Sequence, residues 1–282
     1  MKKEFTLGII AKIISFVATI SAALILRNYW ALVLGIFTNA IVRVSLSYTL
    51  HPYRPKLSLI EAKELFSFSK WLMLNNVLIF LNHKATDLII GKQSSPAELG
   101  YYSVGYEISN LPTTELVFPL SRALFPAYAK LQNDIPALKE TFIKFTQIIM
   151  FVASPICFGM AVSSKELVDV FLGDKWVSVG PIIAFLSLYG LLRCSVQNMG
   201  SIFIALNKPK IPAIISFIRL LVIIPLMFYF VNKDGALGAA TAILYVSIFT
   251  MPASYLILSR FIPLKLKDIS AILAFPILVG IS

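Results

Sequence analysis

The stretch Trp71–Gly91, WLMLNNVLIFLNHKATDLIIG, decides the fold. About 20 mostly apolar residues make a membrane-crossing helix. This stretch has the length, but Asn75, Asn76, Asn82, His83, Lys84, Thr86 and Asp87 interrupt its Leu, Ile and Val. With each helical residue turning 100°, Asn75, Asn76, Asn82, His83, Thr86 and Asp87 share one arc of about 140°. Leu74, Val77, Leu78, Leu81, Ala85 and Leu88 fill the opposite arc. An unpaired polar group in hydrocarbon costs several kcal/mol, so a wet face at bilayer depth has to line a cavity, a pore or a polar helix contact.

The rest of the chain supports a membrane reading. Of 282 residues, 58% are hydrophobic and 14% charged, with mean hydropathy +0.82, against about a quarter charged in soluble domains. The net charge of +11 does not imply nucleic acid, because the basic residues are spread over connecting loops and form no single patch. Membrane-length segments occur at Thr6–Leu26, Tyr29–Leu50, Trp71–Gly91, Leu99–Phe125, Thr141–Val162, Val179–Leu206, Lys210–Val231 and Ala236–Leu258, and a ninth opens near Asp268 and is cut off at Ser282. The fold class expected is therefore an all-α, polytopic helical bundle of eight complete spans and a truncated ninth, a piece of something longer. The Met1-Lys2-Lys3 start resembles a signal peptide. The run after it is about 20 residues long, carries Lys12 and is followed by many similar runs, so it reads as a retained first helix.

Lys and Arg in the loops set the orientation. With the N-terminus cytoplasmic, fourteen fall inside (Lys2, Lys3, Arg54, Lys56, Lys63, Lys70, Lys130, Lys139, Lys144, Lys208, Lys210, Arg260, Lys265, Lys267) and five outside (Arg27, Lys92, Lys165, Lys175, Lys233). No loop is large enough for an extra domain. Ser58–Phe68, SLIEAKELFSF, reads either as an amphipathic helix on the cytoplasmic surface or as an extension of the next span.

Nine ionisable residues fall inside the spans: Lys12, Arg43, Lys84, Asp87, Glu107, Glu115, Arg122, Arg193 and Arg219. Each costs roughly 2.5–3.5 kcal/mol near the bilayer centre, which requires a polar interior among the helices. Lys12 and Arg122 lie near cytoplasmic ends and can snorkel. Lys84 and Asp87, three residues apart, can neutralise each other. Glu107 and Glu115 serve either as proton-coupling acids or as partners for arginines. The sixth span has a second wet face, with Tyr189, Arg193, Gln197 and Ser201 at i+4 spacing and Asn198 beside them. Arg193, Arg43 and Arg219 are deep. Arginine stays charged and grips phosphate in bidentate fashion, so these cations suit an anionic solute, the alternative being buried Arg–Glu pairs between helices.

Enzyme chemistry is not indicated. Cys157 and Cys194 lie in apolar runs, His51 and His83 stand apart, and no metal-spaced cluster, Walker A, G-x-S-x-G or H-E-x-x-H motif is present. Transport without a nucleotide site has to draw on an ion gradient, H+ or Na+, with no other cofactor. Asp87, Glu107 and Glu115 are the candidate coupling carboxylates.

A family resemblance rests on YRPKLS (53–58), ELFSFSKWL (64–72), LNHKATDLIIGK (81–92), LGYYSVGYEISNLP (99–112), SRALFPAYAKLQ (121–132), GLLRCSVQNMGSIFIALNKPK (190–210), IRLL (218–221) and GALGA (235–239), in that order. Together they resemble the polysaccharide transporter family, and most closely the O-antigen and colanic-acid type oligosaccharide-lipid flippases of bacterial inner membranes. The resemblance implies a multidrug-exporter-like fold of about twelve to fourteen helices in two bundles that alternate access to a central cavity. It also implies a missing start of about four helices. Residues 1–57 would then be the last two helices of the N-terminal bundle, 58–70 a cytoplasmic linker and 71–282 the incomplete C-terminal bundle. Arg43, Asn82, Asp87, Arg122 and Arg193 match charged or polar positions of the family. Glu107, where relatives often carry a base, and Lys84 depart from it.

The function expected is flipping of an undecaprenyl-diphosphate-linked oligosaccharide for surface polysaccharide synthesis. Membrane lipid, a polysaccharide polymerase and a chain-length regulator are the expected partners, and nucleic acid is not. Arg43, Arg193 and Arg219 would attract the diphosphate. Asn75, Asn76, Asn82 and Asp87 would hydrogen-bond the glycan, and Gln197 is a further candidate for substrate binding. Two alternatives are a cation-coupled multidrug exporter and a membrane-embedded polymerase or transferase. The exporter is disfavoured because cations outnumber acids six to three within the spans.

Overall fold

A computed structural model describes residues 2–28, 30–50 and 61–272. The chain divides into two compact units, Met1–Ala62 and Lys63–Ser282. Every described secondary-structure element is helical.

The first unit is a hairpin of α1 (Lys2–Leu26) and α2 (Trp30–Leu50). Arg27, with φ 46°, closes α1 in the left-handed conformation that commonly stops a helix. Leu7, Ala11 and Ala31 are buried between the two helices. Asn39 Nδ2 donates to Ser15 Oγ (3.1 Å) and to the Ala11 carbonyl (3.4 Å), which satisfies a polar pair inside an apolar hairpin.

The second unit is built around α8 (Val179–Val196). Against it pack α4 (Pro96–Leu111), α6 (Ile135–Val162), α7 (Ser164–Phe171) and α10 (Lys210–Ser259). The remaining helices are α3 (Ala62–Gln93), α5 (Phe118–Lys130) and α9 (Met199–Ala205). One apolar core joins Phe142 and Ile149 of α6 to Tyr128, Phe203 and Tyr255. Another joins Ile89 and Ile90 of α3 to Tyr102, Ile182 and Leu186, and to Met227, Val231 and Ala239 of α10. Two helix starts follow their sequence signals: Ser95 Oγ accepts from the Glu98 N–H ahead of Pro96, and Asp134 Oδ1 accepts from the Ala137 N–H ahead of Pro136.

Several sequence expectations sharpen here. The span Leu99–Phe125 is three pieces, because Pro112 and Pro119 lack N–H donors. Pro112–Val117 is a π-helical segment in which the Phe118 N–H reaches back five residues to the Thr113 carbonyl. The span Val179–Leu206 breaks at Gln197–Asn198 into α8 and α9. The two last spans form one helical run of 50 residues bent at Asp234–Gly235. Gly235 takes φ 56° and ψ −130°, which L side chains rarely adopt. The Ala236 N–H beyond it donates to Glu98 Oε2 at 2.7 Å. Phe230 stacks on Tyr245 across this bend, with centroids 5.6 Å apart, so the halves fold back on each other.

From Ala62 onward, the stretch read as a surface helix or a helical extension is continuous with α3; Ser58–Ile60 lie outside the described residues, as do His51, Arg54 and Lys56. The loop reading of the segment after α6 is corrected by α7 and a turn at Asp174–Trp176. Val168 of α7 is buried with Val179 and Ile183, so a short amphipathic helix hides where hydropathy shows only a connection. The chain is helical again at Leu266–Ile272, and the rest of the expected ninth span lies outside the described residues. Five described helices are long and apolar enough to cross a membrane; α3, with its polar face, is not among them.

Candidate functional site: a polar cavity between α3, α4, α8 and α10

The wet faces read from sequence meet in one cavity of about 710 Å³ inside the second unit. From α3 it is lined by Asn75, Ile79, Asn82, His83, Lys84, Thr86 and Asp87. Tyr102, Ser103, Tyr106 and Glu107 of α4 face it, as do Tyr189, Arg193, Val196 and Gln197 of α8. Pro212, Ser216 and Arg219 of α10 and Phe203 of α9 complete much of the wall.

α4 reaches α8 closely because of Gly105, where a Cβ would stand 2.8 Å from Ile182 Cγ2. That approach puts Tyr106 and Asn110, one helical turn apart, beside Arg193. The guanidinium Nη1 of Arg193 donates to Tyr106 Oη (3.1 Å) and Asn110 Oδ1 (2.9 Å). Tyr106 Oη also lies 3.3 Å from His83 Nδ1 of α3, the two rings edge-to-face. Arg219 Nη2 donates to Tyr189 Oη at 3.2 Å, and its guanidinium carbon stands 5.5 Å from that ring's centroid. Its Nε is buried without a partner. Among the described residues neither arginine is ion-paired; of the two acids that line the cavity, Asp87 is taken by Lys84 at 2.8 Å.

α3 is stitched to α10 by two bonds at Ser216. Ser216 Oγ donates to Asn75 Oδ1 (2.9 Å), and Asn82 Nδ2 donates to the Ser216 carbonyl (3.1 Å). Asn82 Oδ1 has no partner. Thr86 Oγ1 returns its proton to the Asn82 carbonyl.

Of the sequence candidates, the cavity thus gathers Asn75, Asn82, Asp87, Glu107, Arg193, Gln197 and Arg219. Asn76 is exposed and does not line it. Glu115 is exposed on the π-helical segment, also outside the lining. Arg43 is exposed on α2, in the other unit. Arg122, exposed on α5, lies over the Phe118 ring at 4.4 Å. Cys157 and Cys194 are buried free thiols. Among the described residues no His, Cys, Asp or Glu group is arranged to hold a metal. Sequence reasoning passed over Tyr102, Tyr106 and Asn110. Their i, i+4, i+8 spacing was the available signal, since it sets all three on one face.

A sequence model of the family described as "Polysaccharide biosynthesis protein" matches residues 1–181. The chain belongs to this family. It is similar to the lipopolysaccharide biosynthesis protein WzxC of Escherichia coli (strain K12), 27% identical over 270 residues, covering 92% of this chain and 55% of that one. It is likewise similar, at 26% over 271 residues, to an uncharacterized membrane protein in the cps region of Klebsiella pneumoniae, covering 92% of this chain and 56% of that one. This member of the polysaccharide biosynthesis family therefore spans about half the length of the curated relatives it matches. A solved structure of the lipid II flippase MurJ, in an inward closed conformation, superposes with a TM-score of 0.70 at 15% identity, over 96% of this chain and 59% of that one, which shows the all-α membrane-bundle fold.

Proposed function

We propose that this protein moves an undecaprenyl-diphosphate-linked oligosaccharide across the bacterial inner membrane for surface polysaccharide assembly, by alternating access. The observation that carries the reading is the pair Arg193 and Arg219: both line a 710 Å³ cavity and, among the described residues, are hydrogen-bonded to neutral tyrosine and asparagine groups. Two guanidiniums without a carboxylate partner among the described residues attract an anion and hold phosphate oxygens by paired N–H donors. The cavity volume is that of a site for one small ligand, suited to a diphosphate with its first sugars. Asn75, Asn82 and Gln197 would hydrogen-bond the glycan, while the lipid tail stays in the bilayer. The relatives named for lipopolysaccharide synthesis and lipid II flipping support the same class of cargo.

In this reading the N-terminus is cytoplasmic, as the Lys and Arg distribution suggests, and the polymerase and chain-length regulator act downstream. The test is complementation of a strain that lacks its own flippase for surface polysaccharide, with the gene carrying Arg193→Ala. Loss of surface polysaccharide at normal protein level supports the reading. Wild-type polysaccharide overturns the arginine's role.

A further inference from the structure

We propose that His83 acts, through Tyr106, as a proton-dependent switch on the grip that Arg193 offers a phosphate-type anion. The inference rests on the anion-carrying reading of the cavity and adds to it a residue that composition and spacing left without a role.

The geometry fixes the direction of the hydrogen bonds. Arg193 can only donate, so its bond to Tyr106 Oη occupies a lone pair of that oxygen. The hydroxyl proton is then free to point at His83 Nδ1, 3.3 Å away. A nitrogen that receives a proton this way carries none, so the neutral imidazole keeps its hydrogen on Nε2. The chain runs Arg193 to Tyr106 to His83 and joins α8, α4 and α3.

Adding one proton to His83 from water places it on Nδ1 and reverses the last link. Nδ1–H now donates to Tyr106 Oη, which accepts from two cations, and the displaced hydroxyl proton rotates toward the cavity. No covalent bond to carbon, nitrogen or oxygen of the protein breaks; the imidazole gains one proton and one positive charge. The wall thereby acquires a third cation without a carboxylate partner, beside Arg193 and Arg219, and one more donor, all serving the same space. A phosphate-type anion satisfies both.

The charged surroundings favour such coupling. Asp87 on α3 is neutralised by Lys84 three residues away. Arg193 of α8 and Arg219 of α10 line the same cavity as His83 with no ion-pair partner among the described residues, and Glu107 of α4 lines it too. Two fixed cations resist a third unless an anion arrives with it. Proton and anion therefore each bind more tightly in the presence of the other, by the reciprocity of linked equilibria. His83 is exposed to the cavity, so water reaches it.

The experiment exploits there being only two histidines in the sequence. The chain carrying His51→Gln, labelled with ¹⁵N-imidazole histidine and placed in lipid nanodiscs, gives a single imidazole whose long-range ¹H–¹⁵N couplings report tautomer and charge between about pH 5.5 and 8.5. Sulfate is the probe, because it stays a dianion over that range whereas diphosphate titrates within it. The neutral ring is expected to carry its proton on Nε2, and sulfate to move the His83 titration to higher pH. Sulfate should bind about fivefold or more tightly at the acid end, and His83→Gln should bind it with that dependence abolished. A neutral ring protonated on Nδ1, a titration unmoved by sulfate, or an equal pH dependence in His83→Gln each overturns the switch. Sulfate binding that is independent of pH removes the switch and leaves the anion site standing. No sulfate binding at any pH, with the protein folded, removes both.

Discussion

α3 and α8 both carry polar side chains at membrane depth, yet the molecule holds them by different means. In α8, eleven of eighteen residues are buried, and α4, α6, α7 and α10 pack around it. In α3, a helix of 32 residues and about 48 Å at 1.5 Å per residue, the buried described residues are Leu78, Thr86, Ile89 and Ile90. Ile89 and Ile90 are the described α3 residues that join the large apolar core, and the helix before them is tied to its neighbours by the Ser216 bonds, the His83–Tyr106 contact and Lys210 over the Trp71 ring at 5.3 Å. α8 is thus a frame that presents Arg193 in a fixed place, and α3 is a wall attached by exchangeable hydrogen bonds. Water in the cavity can replace such bonds at little cost, so α3 is the element best suited to shift when a cargo enters.

The largest effect expected is at the frame. Arg193→Ala should reduce surface polysaccharide to the flippase-null background in the complementation assay. Arg193→Lys should fail as well, because one ammonium cannot reproduce the planar fork that serves Tyr106 and Asn110 and still offers donors to the cavity. Recovery of normal polysaccharide by the lysine variant would show that charge alone suffices there.

Next comes the contact that seats α4 on α8. Gly105→Val forces side-chain carbons against Ile182 and is expected to lower stability by about 1–3 kcal/mol, seen as earlier thermal unfolding in detergent. It should also weaken the Arg193–Tyr106 bond by moving α4 outward. The equivalent insult on α3 should be milder. Asn82→Leu removes a donor to the Ser216 carbonyl, worth about 0.6 kcal/mol for an average bond between membrane helices, and it also removes a buried oxygen that has no partner. Global unfolding should hardly move, whereas amide exchange in the first half of α3 should quicken and that of α8 should not. Equal quickening in both would refute the distinction between wall and frame.

The smallest effect lies away from the cavity, in the helical stretch Leu266–Ile272 that follows α10. Asp268 pairs with Lys139 at 2.6 Å and accepts from the Lys265 N–H. The Lys139 hydrogen bond first, and the Lys265 N–H second, hold its carboxyl below the usual carboxylate range. A carboxyl depressed in the folded state stabilises above its ordinary pKa, and that contribution is lost as pH falls through the folded value. Asp268→Asn should therefore lower the unfolding temperature slightly at neutral pH, and the gap from the parent should close in acid. A gap that persists at low pH would deny the pairing its role.

Much of this arrangement was legible in the residues. The polar arc of α3 and the Tyr189–Arg193–Gln197 stripe of α8 are periodic, and periodicity carries direction. The line of sight failed where position along the axis matters more than angle. Asn76 shares a side of α3 with His83 and Asp87, but at its level the wall is formed by Asn75 and Ile79, and Asn76 stays outside. Glu115 lies outside the lining for a different reason: depth in a span says nothing of which helix faces it. α7 was hidden because an eight-residue helix between spans leaves no hydropathy signal, and the break at Gln197–Asn198 because no Gly or Pro marks it. Ser216, the residue that stitches α3 to α10, gives no sequence signal, since one serine in an apolar helix usually bonds its own backbone.

The account depends on Asn82 facing water and the opposite side of α3 facing lipid. The most direct measurement is the reaction rate of a membrane-impermeant thiol reagent, in native membranes, with Asn82→Cys and with its neighbour Leu81→Cys, the two native cysteines being buried. Only a hydrated thiol ionises and reacts. The account predicts fast labelling at position 82, slowed by sulfate, and little at position 81. Rapid labelling at 81 with none at 82 would contradict it.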